Sequence, residues 1–255
     1  DHLVDLFGVD AVRYYLLHEM PFASDGTLTY ELLCERVNSD LANTLGNLVN
    51  RTISMTNKYF DGVVANPGVS EEVDDELLAV AKSVKAKVDE KMEGLHIADA
   101  ITELFTLFKR CNKYIDETMP WALAKDEAKK DRLATVLYNL TECICIGAEL
   151  LLPFLPETSD RILAQLNCAH RSYEELDQFG LYPSGNKVTD KPEPLFARLD
   201  ADEIAKKVEE MHPAAPAAVE AAEASDVIDI EPKPEISFDD FMKLQFQVGE
   251  IIECK

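Results

Sequence analysis

Between Thr29 and Phe60 the apolar and polar positions keep a helical period. Leu41, Leu45, Leu48, Thr52, Met55 and Tyr59 recur every three or four residues, which predicts a buried stripe. Arg36, Asp40, Asn43, Asn47, Arg51, Ser54 and Lys58 form a second, polar stripe. Asn47 and Arg51, one turn apart, are therefore expected to face away from the core. Thr29 suits an N-cap, and the Asp61-Gly62 pair suits a stop. The helix would run about 48 Å if unbroken. Gly46 and the cluster Asn38, Asp40 and Asn43 mark where a kink is expected.

Upstream, "DAVRYYLLHEM" from Asp10 reads as a helix ended by Pro21, and "PFASDGTL" as a turn-rich connection. Downstream, three more helices are expected: about Glu71 to Met92, Ile97 to about Thr118, and Lys129 to about Leu152. Their connections are short enough for antiparallel neighbours. Pro156 suits the first turn of a further short helix through Leu166. The fold class is thus mainly α, an antiparallel helical bundle. Residues 168–199 read as irregular chain laid over it, with a short helix near Asp202 to Met211.

The pattern then changes. "HPAAPAAVEAAEASDVIDIEPKPE" is rich in Ala, Pro and acid, the composition of a disordered acidic linker over 212–235. As a flexible coil it would reach about 27 Å. Beyond it "SFDDFMKL" reads as a short helix, and Leu244, Phe246 and Val248 alternate with Gln245 and Gln247 as in a strand. That stretch, 236–255, reads as the start of a separate module, left with unpaired strand edges and expected to be disordered or non-natively packed beyond about Ile236. The chain opens on Asp1 and stops inside this pattern, so it is expected to be a piece of a longer protein.

Of 255 residues 47% are hydrophobic, enough for a real core. The richest apolar run, "ICIGAELLLPFLP", is short and broken by Pro153 and Pro156, so it reads as buried helix and no membrane partner is expected. A formal charge of −23 argues against non-specific nucleic-acid binding, DNA included. Any RNA contact would have to use a local patch and base readout. The acid is uneven, with 15 acidic against 5 basic residues over 200–255.

Candidate chemistry is sparse. Cys34, Cys111, Cys143, Cys145, Cys168 and Cys254 contain no C-x-x-C pair, and Cys143 and Cys145 point to different helix faces. They read as reduced thiols, and no metal is expected. His2, His18, His96, His170 and His212 are scattered, and no glycine-rich phosphate loop is present. No catalytic residue is assigned. Trp121, the single tryptophan, comes directly after Pro120 in "DETMPWALAK". Spacing leaves it either a lid on the core or a stacking platform. Spacing also leaves Asn47 and Arg51 open to reading as an ordinary solvated face.

Taken together, these stretches resemble the methionyl-tRNA synthetase family. "LFGVDAVRYYLL" is similar to the segment leading out of the class I catalytic domain. "MPFASDGTLTYELLCERVNSDLANTLGNLVNRT", "NKYFDG" and "MPWALAK" resemble the anticodon-binding bundle, and "LYPSGNKV" with "PLFARLD" its returning peptide. "ISFDDFMKLQFQVGEII" is similar to the start of the family's OB-fold tRNA-binding module.

The resemblance implies a connection over 1–28, an anticodon-binding bundle over 29–211, the linker, and a truncated OB-fold. It implies that Asn47, Arg51, Pro120 and Trp121 contact the CAU anticodon of methionine tRNA. For the whole protein it implies a cytoplasmic methionine–tRNA ligase that uses ATP and Mg and forms a homodimer through the OB-fold. The family's His-containing ATP signature and Lys-Met-Ser-Lys-Ser loop are missing from this sequence, so no cofactor site is assigned and the piece alone is expected to be inactive. The alternatives are a helical protein-interaction or scaffold module and the anticodon domain of another class I synthetase.

Overall fold

The computed structural model describes residues 2–20 and 25–211. The linker and OB-fold expectations, over 212–235 and 236–255, lie outside the described residues. Two short helices, α1 (His2–Phe7) and α2 (Val9–His18), open the chain. Next, α3 (Tyr30–Arg36) begins where Thr29 caps it, the Thr29 Oγ1 accepting from the Leu32 N–H at 3.1 Å.

The expected kinked α-helix does not form after α3. Instead the chain widens into a π-helix over Val37–Gly46 and returns to the α form in α4 (Asn47–Phe60). Local chemistry favours the wider turn. Thr44 Oγ1 donates to the Ser39 carbonyl at 3.0 Å, and a Cβ at position 46 would stand 3.1 Å from the Leu41 carbonyl, so glycine is the residue that fits. The slower winding also broadens the buried face. Leu41, Leu45, Leu48 and Thr52 are fully buried as the pattern predicts, and Val49, Ile53 and Thr56 join them, while Met55 and Tyr59 are only partly covered. Asp61 and Gly62, both left-handed with φ 50° and 84°, end α4.

A two-residue strand β1 (Val63–Val64) leads to α5 (Glu72–Glu93) and then α6 (Ile97–Thr118). A single turn α7 (Pro120–Leu123) separates α6 from α8 (Lys130–Leu151), and α9 (Pro156–Leu166) comes next with proline in its first turn. The returning chain pairs β2 (Asn186–Lys187) antiparallel with β1, Val63 opposite Lys187 and Val64 opposite Asn186, and closes with α10 (Ala201–Met211). α8 is long and apolar enough to cross a membrane, yet every residue from Arg132 to Leu151 is buried inside the fold. It is the central helix of the bundle.

Buried ions tie the elements in place. Arg132 on α8 makes a bidentate pair with Asp74 in the first turn of α5, both bonds at 2.7 Å. Tyr114 of α6 donates to the same carboxylate at 2.6 Å. Burial pushes the Asp74 carboxyl up, but the Arg132 and Tyr114 bonds outweigh it and hold the group below its ordinary value. On the far side of α8, Glu142 accepts from Arg171 at 2.8 and 2.7 Å. It also accepts from the backbone N–H groups of Gly180, Leu181 and Tyr182, and so fastens the irregular chain over the bundle.

Candidate nucleic-acid interface

Asn47 is the first residue of α4, and the π-helix before it sets its direction. It is exposed. Its Nδ2 donates to Asn43 Oδ1 over a long 3.4 Å, and Arg198 Nη2 donates to that same oxygen at 3.3 Å. Among the described residues nothing donates to the Asn47 amide oxygen, so the side chain can still both give and accept a hydrogen bond. Ala42, Asn43, Asn47, Phe196 and Arg198 line a recess of about 370 Å³. Phe196 and Arg198 arrive on the returning chain, which Asn38 pins to the π-helix by two 2.9 Å bonds with the Leu199 backbone.

One turn further along, Arg51 points to the same side. Its side chain is 41% exposed and lies 3.6 Å from Asp116, itself 70% exposed. Such a loose pair in water holds the guanidinium only weakly.

Asp116 stands near the end of α6, and α6 is fixed against the π-helix by Asn112, whose Nδ2 donates to the Thr44 carbonyl at 2.9 Å. The helix then stops because a residue before proline is crowded out of the α region. Met119 takes a left-handed conformation with φ 44° and ψ 65°, strained for a side chain without a short polar tip. Pro120 is buried as the first residue of α7, and Trp121 beside it remains 43% exposed. Pro120 is the buried member of the pair, and part of the Trp121 indole stays open to solvent. Beyond Trp121, the end of α4 and the chain after α7 share a cavity of about 170 Å³ whose lining includes Lys58, Tyr59, Leu123 and Lys130.

Asn47 and Arg51 thus lie on α4 and Pro120 and Trp121 on α7, while the Arg51–Asp116 contact links α4 to α6, the helix that leads into α7. Sequence reasoning missed Asn43, Asp116, Phe196 and Arg198 as companions of the site. Asn43 was legible in the polar stripe. The others come close only through tertiary packing.

Two family models cover the chain: "tRNA synthetases class I (M)" matches residues 1–53, and "anticodon binding domain of methionyl tRNA ligase" matches 64–213. Methionine–tRNA ligases of Clostridium acetobutylicum and Clostridium tetani are 47% and 48% identical to it, each over 99% of this chain. The chain belongs to the methionyl-tRNA synthetase family. It spans 38% of the length of these relatives. The apo Mycobacterium tuberculosis methionyl-tRNA synthetase superposes with a TM-score of 0.73 at 35% identity, over 78% of this chain and 40% of that one. The same enzyme bound by methionyl-adenylate gives 0.72 at 36% identity, over 77% and 39%. Asn47 and Arg51 fall in the first methionyl-tRNA synthetase match, and Pro120 and Trp121 in the second. Among the described residues no group of three or more His, Cys, Asp or Glu side chains is placed to hold a metal ion.

Proposed function

We propose that this surface reads the anticodon of methionine tRNA, within a methionine–tRNA ligase whose catalytic domain belongs to the rest of the protein. Single-stranded anticodon bases, splayed from their stack, would enter between the start of α4 and the α6–α7 turn. The edge of a first-position cytosine offers one amino donor beside two acceptors. Asn47 can donate and accept while Arg51 only donates, so together they can separate cytosine from uracil. Trp121 supplies a flat face for stacking, and Pro120 holds it out from the core.

The observation that carries this reading is that Arg51 reaches across to α6 only through a loose contact with the exposed Asp116, five residues before the half-exposed Trp121. Supporting it, the anticodon-domain match spans the Pro120-Trp121 turn. The same reading keeps the bundle at 29–211, joined through 1–28 to the catalytic part, with a 212–235 linker and the OB-fold start at 236–255. It assigns ATP and Mg to the whole enzyme and to no residue of this piece, a cytoplasmic location, and a homodimer formed through the OB-fold.

Calorimetry with an anticodon stem-loop and its cytosine-to-uracil variant tests the readout. Arg51→Gln should lose the preference for cytosine, worth about 1–3 kcal/mol, while the uracil loop binds nearly as before. Equal loss on both loops would remove Arg51 from base discrimination.

A further inference from the structure

The end of α5 is built at an unusual cost. Its last carbonyls are closed by a crossed pair of bonds, the Leu95 N–H donating to the Met92 carbonyl at 3.0 Å and the His96 N–H to the Lys91 carbonyl at 2.9 Å. That closure needs one left-handed residue, a place glycine normally fills. Here Gly94 keeps an ordinary φ of −80°, and the left-handed position, with φ 58°, falls on Leu95. A leucine in that conformation is strained by its Cβ. This one is also 76% exposed, more than any other large apolar side chain among the described residues.

Leu95 has apolar company. Together with Leu17 near the end of α2, Met20 just beyond it, and Ile97 and Ala98 at the start of α6, it lines a recess of about 170 Å³ that His96 and Asp99 complete. Leu17, Met20 and Ile97 are only partly covered, and Leu16, next to Leu17 in the chain, is exposed. The walls are fixed. His18 stacks on Tyr14 with ring centroids 5.2 Å apart, and its Nε2 lies 3.2 Å from Thr102 Oγ1, which ties α2 to α6. A strained, exposed leucine on a fixed apolar recess gains nothing for the bundle by itself, and conformational strain of this kind is a mark of functional surfaces.

Three classes of occupant can be weighed. Nucleic acid fits poorly, because no lysine or arginine lines the recess and Asp99 does. A free partner, or a second copy, needs about 1,200–2,000 Å² of buried surface for stable association, which a recess of this size does not offer. A covalently joined domain needs far less, since the connection itself supplies a high effective concentration. The recess also spans the seam between the two family matches, Leu17 and Met20 falling in residues 1–53 and Leu95 to Asp99 in 64–213. The chain covers 38% of the length of its relatives, so most of such a protein lies outside it.

We propose that the recess at Leu95 is the docking point for the catalytic part of the same polypeptide, an apolar side chain of that part closing over Leu95, Leu17 and Met20. The inference rests on the proposed place of this chain within a methionine–tRNA ligase. Docking there sets the angle between the catalytic part and the surface that carries Asn47 and Trp121, so that a tRNA held by its anticodon meets the active site.

Hydrogen–deuterium exchange on the 255-residue chain and on the whole protein is the test. Methionine-dependent pyrophosphate exchange by the whole protein establishes separately that a catalytic part is present and folded. Peptides covering 12–20 and 93–99 should exchange more slowly in the whole protein. Leu95→Gly supplies the sign. In the 255-residue chain it should raise the thermal midpoint by about 2–4 °C, because glycine removes the strain. In the whole protein it should cut the added protection about tenfold or more, the effect of one lost leucine burial. Equal exchange of these peptides in the two proteins overturns the proposal, as does protection that appears only when tRNA is added. A lowered midpoint for Leu95→Gly in the 255-residue chain would make Leu95 part of the bundle's own packing, and self-association of that chain abolished by Leu95→Gly would give the recess to a second copy; either result also overturns it. A whole protein without pyrophosphate exchange overturns the ligase reading and this proposal with it, whereas failure of the stem-loop calorimetry touches the anticodon readout alone.

Discussion

Arg51 on α4 approaches Asp116 on α6 to 3.6 Å, and Trp121 follows Asp116 by five residues in the chain. Water reaches both side chains, 41% of Arg51 and 70% of Asp116 being exposed, so the pair adds little to stability. Its effect falls on any anion that approaches. A carboxylate beside the Arg51 guanidinium competes with a phosphate or with a base acceptor. Asp116→Asn should change stability by less than about 0.5 kcal/mol. It should raise affinity for an anticodon stem-loop at low salt, with the gain shrinking as salt rises. Filter binding across a salt series checks this, and an affinity unchanged at every salt concentration would show that the carboxylate does not guard the site.

On the proposed reading a base stacks on Trp121, which is 43% exposed and directly follows the buried Pro120. Removing the indole should leave the bundle folded and cost about 1–3 kcal/mol in binding, about 5- to 150-fold in dissociation constant. The loss should be similar for loops with cytosine or uracil in first position, because stacking does not read the base edge. Tryptophan fluorescence cannot track the variant, so calorimetry against both loops is the measurement. A loss confined to one base would move Trp121 from platform to reader.

Much of this was legible in the chain, and the exceptions have physical causes. Helical period and proline position placed α5, α6, α8 and α9 within a residue or two, since long amphipathic segments carry their signal in every turn. Thr29 was readable as a cap because capping is local chemistry. The widened turn over Val37–Gly46 was visible only as an interruption, because a π-helix uses the same residue types as a kinked α-helix and is decided by which carbonyl each N–H meets. At the site, the Asn47 and Arg51 pair came from spacing, whereas the approach of Phe196 and Arg198 depends on a return path more than 140 residues away in sequence that no local pattern encodes. The acid pairs hid for a related reason. With 48 acidic residues every spacing occurs, and only burial singles out Asp74 and Glu142.

Asp74 therefore sets a pH dependence that sequence could not foretell. Its folded carboxyl sits below the ordinary 3.8 because Arg132 and Tyr114 outweigh burial. A depressed carboxyl stabilises the fold fully above its unfolded value, and that contribution disappears as pH falls through the lower folded value. Urea midpoints measured from pH 6 downward should fall below about pH 4. In Asp74→Asn the chain should be weaker by about 3–5 kcal/mol at neutral pH, because Arg132 is left buried without its partner. The acid limb of that variant should also be flatter than the parent's. Parallel acid limbs for the two proteins would assign the pH response to other carboxyls.

Tight packing marks the place where α6 crosses α8. Gly147 on α8 leaves room for the Phe108 ring, and a Cβ built there runs into the ring edge. Phe108 is itself fully buried and meets Phe105 edge-on with centroids 5.3 Å apart, so it cannot swing toward solvent. Gly147→Ala would gain helix propensity of up to about 1 kcal/mol. In an exposed helix that gain would decide the sign. Here the methyl must push apart two long helices or force Phe108 off its rotamer, at about 1–3 kcal/mol. The net result should be a lower thermal midpoint, by roughly 2–8 °C at this chain length. Coupling to Phe108→Leu should recover most of it, since the smaller side chain vacates the volume that the methyl needs. Calorimetric scans of the two single variants and the double complete the cycle, and strict additivity would show that the ring is not what opposes the methyl.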